Sequence, residues 1–209
     1  MITEQNILVY GTGNPAKLQS MRDCLASLNI KIIGLKETGI AVPNVDENGN
    51  TPLENARIKA AAYYEALKRP VFACDSGLYI DGLTDDEQPG VRVRTVNRKR
   101  LNDDEMVAHY VEIAQKLGGK ATARYKNAIC LIMNEGEIYE HFGDDISGEA
   151  FCIVDKPHPK RIEGFPLDCL SVHIESGEYY YWHGKDSDEG MGFKGFQAFF
   201  RKVTEERRV

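Results

Sequence analysis

Residues 6–17 read NILVYGTGNPAK, and this stretch sets the pattern for the fold. An apolar run ends at Gly11, and Asn14-Pro15 combines a good helix cap with a proline suited to the first helical turn. The stretch therefore predicts a strand, a glycine-bearing loop and a helix. Free N–H groups at such a helix start favour an anion, and Lys17 adds a positive charge, so phosphate is the expected guest. An ordinary turn with a solvated Lys17 explains the residues about equally well.

A second helix start follows a polar loop over residues 43–50. Thr51 and Glu54 have the spacing of a capping box, which predicts a helix that continues to about Leu67. Taken alone, Glu54 is explained by its role in helix capping. A functional role for it depends on other acidic groups near it.

The segment 71–80 is predicted as two short extended pieces separated by a turn. The strand 71–74 ends at Asp75-Ser76-Gly77, and Leu78 to Ile80 resumes the extended pattern. This arrangement displays the carboxylate of Asp75 at a strand end.

The rest of the chain reads as one amphipathic helix, a series of strands and a closing helix. The helix covers residues 102–117. The strands are expected at 121–133, 136–142, 148–154, 167–174 and 178–183, and the last helix at 194–206. Alternating strands and helices followed by hairpins predict an α/β fold, a mixed sheet with flanking helices. Residues 1–209 show no linker and are expected to form one domain, with a second lobe carrying the later strands.

Composition excludes several classes of function. The 26 basic residues against 32 acidic ones give a net charge of −6, which argues against a broad nucleic-acid surface. The longest apolar run, residues 128–133, is far shorter than the roughly 20 residues of a membrane span. The five cysteines include no C-x-x-C pair that would suggest structural zinc. The expectation is a cytoplasmic protein without a nucleic-acid or membrane partner.

Glu54 and Asp75 are carboxylates at the rims of separate elements. Mg²⁺ binds through one or two carboxylates together with water and phosphate oxygens. With Lys17, these two acids outline a metal and phosphate site.

Three segments together resemble the signature of the inosine triphosphatase family, also called Ham1-like. The family pattern is T-G-N-x-x-K, then E-x-G-x-T-F-x-E-N-A-x-x-K-A, then D-D-S-G-L. The matching residues, in order, are Thr12, Gly13, Asn14 and Lys17; Glu47, Gly49, Thr51, Glu54, Asn55, Ala56, Lys59 and Ala60; and Asp75, Ser76, Gly77 and Leu78.

The resemblance implies an elongated mixed sheet with two lobes around a cleft, usually as a homodimer. It implies a Mg²⁺-dependent hydrolase that splits nucleoside triphosphates between the α and β phosphates, acting on deaminated purine nucleotides such as ITP, dITP and XTP and so sanitising the nucleotide pool. Glu54 and Asp75 would hold the metal, and Asp75 would orient or deprotonate the attacking water. The residues expected to contact the substrate are Thr12, Gly13, Asn14, Lys17, Asn55, Lys59, Ser76, Gly77 and Arg94.

The second half departs from the family pattern. Arg94 falls one residue earlier than the arginine of P-G-x-x-x-A-R, and G-F-G-Y-D-P is reduced to residues 164–168. Phe165 is the expected stacking face for the base, and Asp168 and Lys194 are the expected polar contacts. These departures leave the preferred base open, including a different modified triphosphate.

One departure touches the metal, because Cys74 stands where the family has the first acid of its acidic pair. A thiol is a soft ligand that suits zinc or copper better than magnesium. We interpret Cys74 as a small buried residue that closes the strand rather than as a reactive thiol.

Two other functions remain as alternatives. A nucleotide-binding module that has lost turnover would account for Cys74 and the altered later motifs. A dinucleotide-dependent oxidoreductase would account for the match of residues 11–16 to G-x-G-x-x-A, with Glu37 about 20 residues further on. That second alternative requires a continued run of parallel strands and gives Glu54 and Asp75 no role.

Overall fold

The computed structural model describes residues 7–162, 165–180 and 191–207. The fold is a mixed α/β fold with a central mixed sheet and flanking helices. The helices are α1 (Pro15–Cys24), α2 (Pro52–Leu67), α3 (Asp103–Lys116) and α4 (Met191–Glu206). The strands are β1 (Ile7–Tyr10), β2 (Lys31–Gly34), β3 (Val71–Ile80), β4 (Thr95–Val96), β5 (Lys99–Arg100), β6 (Lys120–Asn134), β7 (Glu137–Phe142), β8 (Phe151–Val154) and β9 (Ser171–Val172).

The chain divides into two compact units, and β3 and β6 each begin in one unit and end in the other. The first unit comprises residues 1–76, 126–147 and 191–209. Its strands lie in the order β2-β1-β3-β6-β7, with β1 parallel to both β2 and β3 and β7 antiparallel to β6.

The two faces of the first unit's sheet are packed differently. On one face, the ring of Tyr10 stacks on Phe72 at 4.6 Å, and Phe200 of α4 meets Phe72 edge-on at 5.1 Å. On the other face, α2 presents Ala56 and Ala60 to β3 and β6. Because alanine side chains are small, the helix backbone approaches the sheet closely there. This close approach brings the polar residues of α2 to β3.

The second unit comprises residues 77–125 and 148–190. Within it, β6 pairs with β8 and β8 pairs with β9, both antiparallel. The capping box of α3 forms as its sequence predicts, with Asn102 and Glu105 bonded reciprocally. The buried residues of α3, among them Met106 and Tyr110, join the core of this unit.

The predicted turn at Asp75-Ser76-Gly77 is wrong, since β3 is one continuous strand of ten residues. Polar residues can occupy a strand when each side chain finds a partner, and both Asp75 and Ser76 do so. Gly77 lies against the backbone of Gly90, where an added Cβ would sit 3.1 Å from the Gly90 carbonyl carbon. The glycine thus marks a close backbone approach rather than a turn.

The predicted strand over 167–174 is also wrong, because residues Pro166–Leu170 form a 3₁₀ helix and only Ser171–Val172 is a strand. Pro166 at the first position suits a helical turn, and the Ser171 hydroxyl donates back to the Leu167 carbonyl at 2.8 Å. The closing helix begins at Met191, earlier than expected. The strand predicted over 178–183 is not found in its described part, where Tyr179 forms only an isolated bridge with Val172. Gly164 and residues 181–183 lie outside the described residues.

The other predicted elements of the sequence correspond to α1, α2, α3, β1, β6, β7 and β8, with small differences at their ends. Among the described residues, no helix is both long and apolar enough to cross a membrane.

The aromatic packing predicts a large difference between two phenylalanines of the first unit. Phe200 is 0% exposed and Phe142 is 47% exposed. Phe200→Ala should lower the free energy of unfolding by about 3–5 kcal/mol, because it leaves a cavity in the core. Phe142→Ala, the matched control, should change it by less than about 1 kcal/mol. Urea titrations followed by circular dichroism measure both, and equal losses would contradict the packing described.

Candidate active site

The loop before α1 is built around the Asn14 cap. The Asn14 Oδ1 accepts hydrogen bonds from the N–H groups of Ala16 at 2.9 Å and Lys17 at 3.3 Å. The Thr12 hydroxyl oxygen accepts from the Asn14 N–H at 3.1 Å. The predicted cap is confirmed, and it already satisfies two N–H groups of the helix start. An anion here would therefore depend mainly on the exposed Lys17 and the loop backbone.

Two glycines of the loop before α1 differ in the space around them. A Cβ on Gly11 would lie 2.7 Å from the ring of Tyr63, so the close approach of α2 requires glycine there. A Cβ on Gly13 would meet nothing within 4 Å. The Gly13 side of the loop is consequently open to a ligand.

The start of α2 positions the Glu54 carboxylate. Thr51 caps the helix as predicted, its hydroxyl oxygen accepting from the Glu54 N–H at 3.2 Å. The Glu54 carboxylate reaches back to accept from the Asn50 N–H at 2.6 Å, rather than from the N–H of the cap residue. Gly49 donates its N–H to the Asn55 Oδ1 at 2.8 Å, and a Cβ there would lie only 2.7 Å from that oxygen. The polar loop is thereby fixed against the first turn of α2.

Asp75 is the centre of the site, because both of its carboxylate oxygens are held by α2. The Asn55 side-chain amide donates to Oδ2 at 3.0 Å, and the Lys59 ammonium donates to Oδ1 at 2.8 Å. Asn55 and Lys59 are four residues apart and so lie on one face of the helix. The side chains of Lys59 and Asp75 are only 10% and 13% exposed. This arrangement fixes the direction in which the Asp75 carboxylate points.

Lys59 also bonds a second acid, the Glu47 carboxylate, at 2.8 Å. Burial by itself would lower the pKa of Lys59, but Asp75 and Glu47 outweigh burial and the net shift of the pKa is upward. The lysine is therefore charged at neutral pH and joins the polar loop to β3.

Cys74 lies on the other face of the sheet from Asp75, since successive residues of a strand point to opposite faces. It packs against the aromatic cluster of Tyr10 and Phe72. Burial raises the pKa of the Cys74 thiol to about 12, although a hydrogen bond with Tyr10 and the charges of Lys17 and Lys59 act to lower it. A neutral thiol in this position supports its interpretation as a packing residue.

Ser76 of β3 is held in place by two successive hydrogen bonds. Its hydroxyl donates to the Asn127 Oδ1 at 2.7 Å, and the Asn127 amide donates to the Ile146 carbonyl at 2.8 Å. Sequence reasoning missed Asn127, although a polar residue directly before the apolar run 128–133 was an available signal. It also missed Tyr10 of β1, whose side chain bonds the Cys74 thiol on β3.

Four residues expected to contact the substrate are distant in sequence from the segments that carry Glu54 and Asp75. They are Arg94, Phe165, Asp168 and Lys194. Lys194 is exposed in the first turn of α4 and belongs to the first unit. In the second unit, Arg94 donates to the Asp103 carboxylate at 2.7 Å, and Phe165 is 51% exposed where the 3₁₀ helix begins.

Asp168 is half-buried in the second unit, and burial raises its pKa. Burial raises the pKa of Tyr125 to about 12, with Asp168 adding to the rise and Arg94 opposing it. The charges of Asp168 and Arg94 thus act on Tyr125 in opposite directions.

The donor chemistry of the first unit fits a hard cation better than a soft one. Glu54 and Asp75 offer carboxylate oxygens, and the Cys74 thiol is protonated on the opposite face. Within the described residues, no group of three or more His, Cys, Asp or Glu side chains is arranged to hold a metal. Mg²⁺ keeps several waters and uses one or two protein carboxylates, so this donor set suits it.

Comparison with known proteins gives a consistent result. A model described as the Ham1 family matches residues 8–173. A Rhodopseudomonas palustris protein named dITP/XTP pyrophosphatase is 37% identical over 137 residues, which is 64% of this chain and 63% of that protein, less than two thirds of its length. A Symbiobacterium thermophilum protein of the same name is 33% identical over 169 residues, 80% of this chain and 79% of that protein. A Ham1 protein structure from Coxiella burnetii superposes with a TM-score of 0.69 at 26% identity, covering 97% of this chain and 99% of that one.

The ion-pair geometry predicts that Lys59 matters for stability far more than a surface lysine. Lys59→Met should lower the free energy of unfolding by about 2–3 kcal/mol, because it leaves the buried Asp75 carboxylate without its cation. Lys202, which is exposed and 3.9 Å from Glu206, provides the control. Lys202→Met should cost less than about 0.5 kcal/mol. Denaturant titration distinguishes the two, and a negligible loss for Lys59→Met would refute the arrangement.

Proposed function

The chain belongs to the Ham1 family, and we propose that it is a nucleoside triphosphate pyrophosphohydrolase acting on deaminated purine nucleotides such as ITP, dITP and XTP. The reaction adds water across the bond between the α and β phosphates and releases a nucleoside monophosphate and pyrophosphate. The observation that carries this proposal is the Asp75 carboxylate, fixed by Asn55 and Lys59 beside the first turn of α2. The names of the two relatives support the choice of substrate.

Mg²⁺ is the proposed cofactor, held by Glu54 and Asp75. When bound, the ion supplies positive charge that neutralises the charge developing on the phosphate oxygens. The Glu54 carboxylate accepts one backbone N–H bond, so it keeps lone pairs available for a cation.

Asp75 is also the proposed acceptor of the proton from the attacking water. Each of its oxygens accepts one hydrogen bond from α2, which leaves a second lone pair on each oxygen. The carboxylate is thus oriented but not saturated, which is the condition for general-base catalysis.

The triphosphate is proposed to lie against the loop of Thr12, Gly13 and Asn14, with Lys17 as its main cationic contact. The open side of Gly13 supports this placement. Asn55, Ser76 and Gly77 are further proposed contacts of the substrate. Lys59 is bonded to two carboxylates, so it acts first on Asp75 and only second on phosphate.

The base end of the substrate is assigned to residues of the later motifs. Phe165 provides an exposed ring for stacking, and Asp168, Arg94 and Lys194 provide polar and charged contacts. A homodimer completes the proposal on the basis of the family resemblance, and the cytoplasmic location and the absence of a nucleic-acid partner are proposed from the composition and net charge of the chain.

The two alternative functions, a binding module and an oxidoreductase, differ in how well they fit the structure. A binding module without turnover is favoured by one observation, the neutral Cys74 in place of an acid. The oxidoreductase requires further parallel strands, whereas β7, β8 and β9 all pair antiparallel. The binding module is therefore the second candidate.

Product analysis separates hydrolysis from binding. With Mg²⁺, release of pyrophosphate and monophosphate should be at least about tenfold more efficient in kcat/KM for ITP, dITP and XTP than for ATP, GTP, CTP, UTP and dTTP. Removal of the metal with EDTA should abolish release, and added Mg²⁺ should restore it. Triphosphate binding without any release would instead establish the binding module.

A further inference from the structure

A bidentate ion pair joins α2 to β7 one turn from the proposed metal site. The Arg57 Nε and Nη2 atoms donate to the two carboxylate oxygens of Glu140, each at 2.6 Å. Glu140 lies directly opposite Cys130 in the β6–β7 register and also bonds its thiol. The glutamate is therefore held in place by the sheet, whereas the Arg57 side chain is 52% exposed.

Arg57 has a second carboxylate within electrostatic reach. Glu54 precedes it by three residues on α2, the spacing at which a glutamate and an arginine meet on a helix surface. The pKa of Arg57 is raised chiefly by its hydrogen bonds to Glu140, and the charge of Glu54 makes a smaller contribution in the same direction. The guanidinium thus has two possible partners and in this structure is bonded to Glu140.

We propose that Glu140 is a positioning residue that keeps Arg57 away from Glu54, so that the Glu54 carboxylate stays available to Mg²⁺. This inference rests on the proposed function, because it assumes that Glu54 is a metal ligand. A guanidinium paired with Glu54 would neutralise that carboxylate and repel a divalent cation. The planar, two-bonded geometry with Glu140 favours the arrangement seen over the alternative pairing.

Metal binding without nucleotide tests the proposal directly. Free Mn²⁺ is measured by electron paramagnetic resonance during titration into wild-type protein and variants. Glu140→Gln should weaken Mn²⁺ binding about two- to fivefold, because Arg57 is released toward Glu54. Arg57→Gln should bind Mn²⁺ as tightly as wild type or more tightly, and the double variant should match Arg57→Gln.

A second arginine–glutamate ion pair provides the control. Arg22 donates from one nitrogen, Nη2, to both carboxylate oxygens of Glu37, at 2.8 and 2.7 Å, also in the first unit. Glu37→Gln should leave Mn²⁺ binding unchanged. Glu140→Asp, which retains the charge on a shorter side chain, should fall between wild type and Glu140→Gln.

The assay of pyrophosphate release supplies the second readout. In Glu140→Gln, the Mg²⁺ concentration for half-maximal rate should rise by the same factor as the Mn²⁺ dissociation constant, with kcat at saturating Mg²⁺ within twofold of wild type. The proposal is overturned if Glu140→Gln binds Mn²⁺ like wild type, or if Arg57→Gln weakens binding equally, which would indicate a purely structural pair. A wild-type protein that releases no pyrophosphate would instead refute the proposed function, and one that releases pyrophosphate but binds no Mn²⁺ in the absence of nucleotide would overturn only the role of Glu140.

Discussion

The site depends on one buried cation, the ammonium of Lys59, placed between the carboxylates of Asp75 and Glu47. The positive charge of Lys59 offsets the repulsion between the two negative carboxylates and matters most for the Asp75 side chain, which is 13% exposed. The same bonds fix the polar loop before α2, the first turns of α2 and the middle of β3 relative to one another. Small residues at the helix-sheet contact, Ala56 and Ala60, make the approach close enough for these bonds to form.

Much of this arrangement could be predicted from sequence because its signals are local. Asn14 and Thr51 cap their helices as expected, since capping depends on a few neighbouring atoms. The residue types of Asp75-Ser76-Gly77 favour a turn, but partners distant in the chain, Lys59 and Asn127, satisfy the polar side chains within a strand. The Arg57–Glu140 pair, 83 residues apart, left no local signal at all.

The departure at Cys74 has a structural explanation within the first unit. The alternation of β3 places this side chain with Tyr10 on the face opposite Asp75, so the thiol packs in an aromatic core. An acid at position 74 would point the same way, so the proposed cation depends on Glu54 and Asp75 in either case. Pairing of Arg57 with Glu54 would therefore neutralise one of the two proposed ligands.

The central claim is that the Asp75 carboxylate binds the metal and accepts the proton of the attacking water. Steady-state hydrolysis of ITP by Asp75→Asn tests it most directly. Asparagine keeps the shape but cannot take up a proton or bind a cation with a full charge. The account predicts a kcat about 100-fold or more below wild type, with an unchanged circular dichroism spectrum. Asp85→Asn, at an exposed position in the second unit, should retain wild-type kcat. A folded Asp75→Asn protein with kcat within twofold of wild type would contradict the account.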